Sequence, residues 1–84
     1  MKKNLYVYTI TNGNDELVYK HAFKSFEEAA EERKRDIENE VEDAISCGYE
    51  EEDIYVDEDF VKYGDAPENV YYYTIEEVNN PYED

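Results

Sequence analysis

SFEEAAEERKRDIENEVEDAISCG, residues 25–48, is the stretch that decides the fold. Ser25 followed three residues later by Glu28 forms a capping box, the pattern that begins a helix. Gly48 is a natural helix end. The stretch therefore predicts a helix over about residues 26–47, roughly 33 Å long at about 1.5 Å per residue. Its apolar residues recur at spacings that fit one helix face. They are Phe26, Ala30, Ile37, Val41, Ala44 and Ile45, with Ala29 and Arg33 beside them.

Two strand patterns precede this helix. Residues 5–11 are rich in β-branched and aromatic side chains, and residues 16–23 alternate with the period of two that is typical of strands. Between them, residues 12–15 read Asn-Gly-Asn-Asp. This is a concentrated turn signal, because Asn-Gly tolerates the positive φ that tight hairpins require. The region before the helix is therefore predicted to be a β-hairpin.

The chain after Gly48 is less regular, and residues 54–63 fit either strand or helix. The composition otherwise indicates a loop, a turn and a strand before a frayed tail. The predicted fold is α+β: an antiparallel sheet of three to four strands with one long helix packed across it, in the order β-β-α-β or β-β-α-β-β. All 84 residues are expected to form one domain. The segments predicted after Gly48 are a loop over 49–53, a turn over 64–69, a strand over 70–78 and the tail over 79–84.

Negative charge is the dominant feature of the composition, and it is unevenly placed. Residues 1–24 carry a balance of +2, residues 25–49 of −6 and residues 50–84 of −12, which together give the net charge of −16. Such a field repels nucleic acid and attracts basic partners. The 40% apolar content and ten tyrosines, with only three glycines and two prolines, favour a folded chain over a disordered one.

Several function classes are disfavoured by what the sequence lacks. The single Cys47 cannot form an internal disulfide, and His21 has no nucleophile or carboxylate pattern around it. The chain start has no apolar run of signal-peptide type, and no stretch approaches the roughly 20 apolar residues of a membrane span. A cytoplasmic protein with no cofactor, no catalytic residues and no membrane partner is therefore expected. A hydrolase would need two converging carboxylates, which nothing in the sequence indicates.

Acidic residues on the predicted helix form two ridges that flank its apolar stripe. Carboxylates four residues apart lie about 6 Å apart along a helix, whereas one DNA strand carries a phosphate about every 3.4 Å. Such a ridge would match roughly every second phosphate, although a merely solvated helix face has the same pattern. The first ridge, a candidate partner-binding surface, consists of Glu28, Glu32, Asp36, Glu40 and Asp43. The second consists of Glu27, Glu31, Glu38 and Glu42.

A second acidic region follows the helix. Its clusters are separated by aromatic and aliphatic residues, which favours an ordered surface. A calcium site is disfavoured, because Asp57-Glu58-Asp59 runs into Phe60 without the glycine turn of the calcium-binding loop. No metal is therefore expected. The candidate partner-binding residues in this region are Glu50, Glu51, Glu52, Asp53, Asp57, Glu58 and Asp59. Asp65 and Glu68 form a further acidic cluster along the chain.

Tyrosine is the third candidate feature. Tyr6 and Tyr8 share one face of the first strand. Tyr71 and Tyr73 share one face of the last strand, and Tyr72 takes the other. A sheet with one face under a helix is expected not to bury both sets, so some of these rings should be exposed, and tyrosine is frequent at interface hot spots. Ordinary packing with the hydroxyls in solvent is the alternative. The candidate contacts are Tyr55, Tyr71 and Tyr73.

Small size, strong acidity and a high tyrosine content make the chain similar to the DNA-mimic inhibitors encoded by phages and mobile elements. That class includes anti-CRISPR and anti-restriction proteins. The resemblance covers size, charge and composition along the whole chain and involves no motif. Members of the class have unrelated folds, so no functional residue is carried over. The resemblance implies a non-enzymatic protein that occupies a nucleic-acid-binding groove on a basic enzyme, such as a nuclease, inside a bacterial host cell.

Two functional hypotheses follow from these observations. The first is a stoichiometric inhibitor that mimics nucleic-acid charge, binds a basic nucleic-acid-binding protein and does not itself bind nucleic acid. The second is a small non-catalytic interaction subunit that docks on a partner, or forms a homodimer, through its sheet face and tyrosines. Salt dependence separates them, because charge mimicry weakens as salt rises and an apolar interface does not.

Overall fold

The computed structural model describes residues 4–79, in which one helix packs on one face of a five-stranded antiparallel sheet. The elements are β1 (Asn4–Asn12), β2 (Leu17–Phe23), α1 (Phe26–Ser46), β3 (Tyr55–Asp57), β4 (Phe60–Lys62) and β5 (Val70–Asn79). The strand order across the sheet is β2-β1-β5-β4-β3. The predicted α+β class, with a long helix across an antiparallel sheet, is confirmed, and the sheet has one strand more than the three to four expected.

The helix ends are determined by local hydrogen bonds. At the start, the Ser25 hydroxyl accepts the Glu28 backbone N–H at 3.2 Å, as the capping box predicts. At the end, Gly48 has φ of +103° and donates its N–H to Ile45, while Tyr49 donates to Ala44. These two bonds form a Schellman motif, in which the glycine takes the left-handed conformation and stops the helix.

The β1–β2 turn differs from the expected Asn-Gly geometry. The left-handed residue is Asp15, with φ of +60°, while the Asn12 side chain accepts the backbone N–H groups of Asn14 and Glu16 at 2.9 and 3.1 Å. Gly13 is needed for another reason: a Cβ there would lie 2.6 Å from the Pro67 carbonyl oxygen. The Gly13 N–H donates to that same oxygen at 3.0 Å, so the turn is held against the segment that leads into β5.

The segment that the sequence left open, residues 54–63, forms a hairpin of two strands rather than a helical turn. Each strand has three residues, and the connecting turn contains Glu58 and Asp59. The Asp59 carbonyl accepts the Tyr73 N–H at 2.9 Å, which fixes this hairpin beside β5. Of the tail predicted over 79–84, Asn79 ends β5, and the rest lies outside the described residues.

The core lies between α1 and the sheet face that α1 covers. Small Ala29 and Ala44 are fully buried and let the helix backbone approach the sheet, with Ile37 between them. The predicted stripe is therefore correct in its centre. Its ends, Phe26 and Ile45, are about half exposed. The sheet contributes Tyr8, Ile10, Ile54, Val61, Tyr63 and Tyr73 to this core.

Candidate protein-binding surfaces

The first acidic ridge does not face solvent along its whole length. Asp36 and Glu40 point towards the sheet, where they accept hydrogen bonds from buried tyrosines. The Tyr8 hydroxyl donates to the Asp36 carboxylate at 2.8 Å, and the Tyr63 hydroxyl donates to Glu40. Hydrogen bonds to a charged acceptor are stronger than neutral ones, so these two carboxylates help to fix the helix on the sheet.

The interpretation of this ridge as one outward surface is therefore corrected. Besides the two inward carboxylates, Glu32 is half-buried and accepts a hydrogen bond from Arg35 at 3.2 Å. The terminal members, Glu28 and Asp43, are exposed. The physical reason is the angle of the ridge: it follows the flank of the helix and enters the helix–sheet contact near its middle.

Tyrosine–carboxylate pairs also shift the ionisation of the tyrosines. Burial, and then the hydrogen bond to Asp36, raises the pKa of Tyr8 far above its ordinary value. Burial and the Glu40 bond do the same to the pKa of Tyr63. A third pair lies at the sheet end. There, Glu77 accepts from Asn4 at 2.9 Å and from the Tyr6 hydroxyl at 3.0 Å, and these bonds lower the pKa of Glu77.

Replacing Glu40 by glutamine tests whether this ridge is structural. We expect Glu40→Gln to lower the free energy of unfolding by about 1–2 kcal/mol, because the Tyr63 hydroxyl exchanges a charged acceptor for a neutral one. Glu38→Gln is the matched control, since Glu38 is exposed two residues away and forms no ion pair within residues 4–79. It should change stability by less than about 0.5 kcal/mol. Urea unfolding measures both, and equal effects would contradict an inward role for Glu40.

The second acidic ridge is the one that faces solvent, and we call it the acidic crest. Its members Glu27, Glu31, Glu38 and Glu42 are all exposed. Within residues 4–79 the structure contains two ion pairs, Arg35–Glu32 and Arg33–Glu58, and neither involves the crest. The crest carboxylates are therefore available to an external base.

The turn of the β3–β4 hairpin extends this acidic surface sideways. Arg33 lies largely buried, with 12% of its side chain exposed, and reaches Glu58 at 3.3 Å. Because Glu58 is 82% exposed, this pair contributes little stability, but it places the hairpin turn beside the helix. A groove of about 390 Å³ lies between the helix and the hairpin, and Glu38, Asp57 and Glu58 are among the residues that line it. Asp59 and the acidic residues of 50–53, which follow the helix, are exposed as well.

The tyrosines are arranged differently from the sequence-based expectation. Tyr73 pairs with Ile10 and Tyr71 with Asn12, so both face the helix together with Tyr8. One helix thus covers both sets of rings. Tyr73 is 2% exposed and cannot contact a partner, which corrects its assignment, and Tyr71 is half-buried beside it.

Two of the exposed rings are Tyr55, as expected, and Tyr72, which was not among the predicted contacts. They are 70% and 43% exposed and lie on the sheet face opposite the helix, with Phe60 between them. The ring-centre distances to Phe60 are 6.3 and 5.4 Å. The period-two pattern of β5 does place Tyr72 opposite Tyr71 and Tyr73. What the sequence could not show was which of the two faces the helix covers.

The remaining candidates form no catalytic or metal geometry in the part of the chain that the structure describes. His21 is exposed on β2 between Tyr19 and Phe23, and Cys47 is exposed at the helix end. Across residues 4–79, no three side chains of the metal-binding types come together. None of the helices within residues 4–79 has the length and apolar character that crossing a membrane requires.

Comparison of the chain with protein-family models, with curated proteins and with solved structures found no match. Residues 4–79 thus form a small acidic α+β fold. It presents the acidic crest on one side and, on the other, a sheet face that no described helix covers.

Proposed function

We propose that this protein is a stoichiometric inhibitor that occupies the basic nucleic-acid-binding groove of a DNA- or RNA-processing enzyme. A CRISPR effector or a restriction nuclease is the kind of target that fits. The observation that supports this proposal most is the acidic crest, whose exposed carboxylates have no basic partner among the described residues. A basic groove would supply the charges that the chain itself does not.

The spacing of the crest is compatible with a phosphate backbone. Glu27 and Glu42 are fifteen residues apart on α1, which corresponds to about 22 Å of helix axis. One strand of duplex DNA passes six or seven phosphates over that distance. The crest provides four carboxylates there, and the exposed Asp59 lies in the β3–β4 turn, which the Arg33–Glu58 pair links to the helix. A groove lined with lysine and arginine could thus exchange several phosphate contacts for carboxylate contacts.

The electrostatics of the whole chain favour the same kind of partner. With a net charge of −16 and two internal ion pairs within residues 4–79, most of the negative charge is not neutralised internally. Such a field accelerates encounter with a basic groove and repels nucleic acid itself. The association should weaken steeply as salt rises, since the Debye length falls to about 3 Å at 1 M.

A charge-matched pair of triple variants tests the role of the crest. We expect Glu31→Gln, Glu38→Gln and Glu42→Gln together to lower affinity for the partner at least about tenfold, because they remove three contacts from the crest. The control removes three acids elsewhere, by Asp15→Asn, Asp65→Asn and Glu68→Gln. It changes the net charge equally and should retain most of the affinity.

The measurement uses nuclease-treated bacterial lysate passed over each immobilised variant and eluted with a salt gradient. The partner should leave the crest variant at markedly lower salt than the wild type, while the control elutes close to the wild type. If both triple variants shift elution equally, net charge alone governs binding and the crest is not the contact surface. If neither shifts it, charge mimicry is contradicted.

A further inference from the structure

One face of the sheet is left uncovered by residues 4–79. All of α1 lies on the other face, as the core residues show. We call the uncovered side the open face, and strand alternation with the observed register defines its members. They are Leu5, Val7, Thr9, Thr11, Leu17, Lys20, Ala22, Tyr55, Asp57, Phe60, Lys62, Val70, Tyr72, Thr74, Glu76 and Val78.

The composition of the open face is unusual for a surface in contact with water. A solvated face of an antiparallel sheet normally carries polar side chains. Here most members are apolar, and Tyr55, Phe60 and Tyr72 form a continuous aromatic group across three strands. Leu17, at the opposite edge of the sheet, is 61% exposed. An exposed aromatic group of this kind is typical of an interaction site.

The charge of the open face indicates which partner it fits. It carries two bases, Lys20 and Lys62, and two acids, Asp57 and Glu76, so its formal charge is zero in a chain of −16. A basic partner would bind the acidic crest in preference, and nucleic acid is repelled by the chain as a whole. The same neutral face of a second copy adds no like charge at the contact, so only the net charges of the two chains oppose association, and salt screens that repulsion.

The arrangement of these charges is also self-complementary. β2 and β3 are the opposite edges of the sheet, so a two-fold axis parallel to the strands places β2 of one copy over β3 of the other. Lys20 lies on β2 and Asp57 on β3. The two-fold operation therefore brings each lysine towards the aspartate of the second copy.

The size of the open face is sufficient for a specific dimer. The five strands contain 32 residues. At about 3.3 Å rise and about 4.8 Å strand spacing they cover roughly 500 Å² per copy. Two such faces bury about 1,000 Å² before side-chain relief is counted, which is about the minimum area of a biological interface.

We propose that two copies of this chain associate open face to open face in a two-fold homodimer. The two sheets then pack about 10 Å apart, as in a sandwich. The two helices lie on the outside, where both acidic crests remain accessible. This inference is independent of the proposed function, because it uses the opposite surface and an apolar contact.

Sedimentation equilibrium across protein concentration, at low and high salt, tests the dimer. We expect a mass of about twice 10.0 kDa at high concentration. The dimer fraction should increase with salt, because screening reduces repulsion between two acidic chains while apolar contacts persist. Partner binding through the crest has the opposite salt dependence, so failure of either proposal is distinguishable from failure of the other.

Substitutions locate the interface. Tyr72→Glu and Tyr55→Glu should each weaken the dimer at least tenfold, since each buries a charge in an apolar contact. Asn39→Glu adds the same charge on the exposed helix side and should leave the dimer intact. Tyr55 lies on the edge strand β3, where a substitution disturbs the fold least. Circular dichroism checks that the Tyr55→Glu variant is folded. A wild type that stays monomeric, or a dimer that ignores both tyrosine variants, overturns the proposal.

Discussion

Replacing Tyr73 by alanine is expected to lower the free energy of unfolding by about 3–5 kcal/mol. The Tyr73 ring is 2% exposed, faces the helix and packs in the core opposite Ile10. Truncation leaves a large cavity under α1. Because folded chains of 84 residues are typically stable by about 4–13 kcal/mol, the loss is a large part of the total. Denaturant unfolding with two spectroscopic probes measures it.

Tyr72→Ala is the matched control for this prediction. The two tyrosines are neighbours in β5 and differ in the face they occupy. On the exposed face, the loss should be less than about 1 kcal/mol when measured at a protein concentration where the chain is monomeric. A register slip of one residue exchanges the two faces. Equal losses for the two variants would therefore contradict the observed strand register.

Alkaline pH is expected to unfold this protein steeply. Burial, together with neighbouring carboxylates, raises the pKa of Tyr8, Tyr63 and Tyr73 far above the ordinary value of about 10. Above pH 10 these tyrosines keep their protons in the native state and lose them in the unfolded state. The native state then binds more protons, so stability falls as pH rises. Each tyrosine contributes about 1.4 kcal/mol per pH unit, or about 4 kcal/mol per unit for the three.

Tyrosinate absorbance and circular dichroism, followed together through an alkaline titration, check this prediction. The buried tyrosines Tyr8, Tyr63 and Tyr73 should ionise only as the helix signal is lost. Tyr8→Phe should reduce the slope of stability against pH by about one third, since it removes one titrating group. Ionisation of all ten tyrosines in one step, without unfolding, would contradict the buried tyrosine–carboxylate pairs.

The parts of the fold that local sequence determines were predictable. The capping serine, the apolar period and Gly48 define the helix within one residue of its observed end. The β1–β2 hairpin and β5 also follow from alternation and turn residues. The β3–β4 hairpin was ambiguous because each strand has three residues, which is too short for periodicity to distinguish strand from helix.

The arrangement of the surfaces depends on long-range pairing, which local patterns do not contain. Asp36 and Glu40 look like surface acids on the helix alone. Only the register of β1 with β5, and the position of β4 beside them, brings Tyr8 and Tyr63 under these carboxylates. The same register buries Tyr73 and leaves Tyr72 exposed. The sequence therefore shows how acidic the chain is. It does not show which helix carboxylates accept hydrogen bonds from buried tyrosines and which are exposed to solvent.

Competition with nucleic acid is the most direct test of the proposed charge mimicry. The measurement immobilises the protein, captures its partner from nuclease-treated bacterial lysate and then applies duplex DNA or RNA at constant low salt. Because the proposed inhibitor occupies the same basic groove as the nucleic acid, the partner should be displaced in proportion to the nucleic acid added. A partner that binds nucleic acid while it remains attached to the protein, or one that does not bind nucleic acid at all, would contradict the proposal.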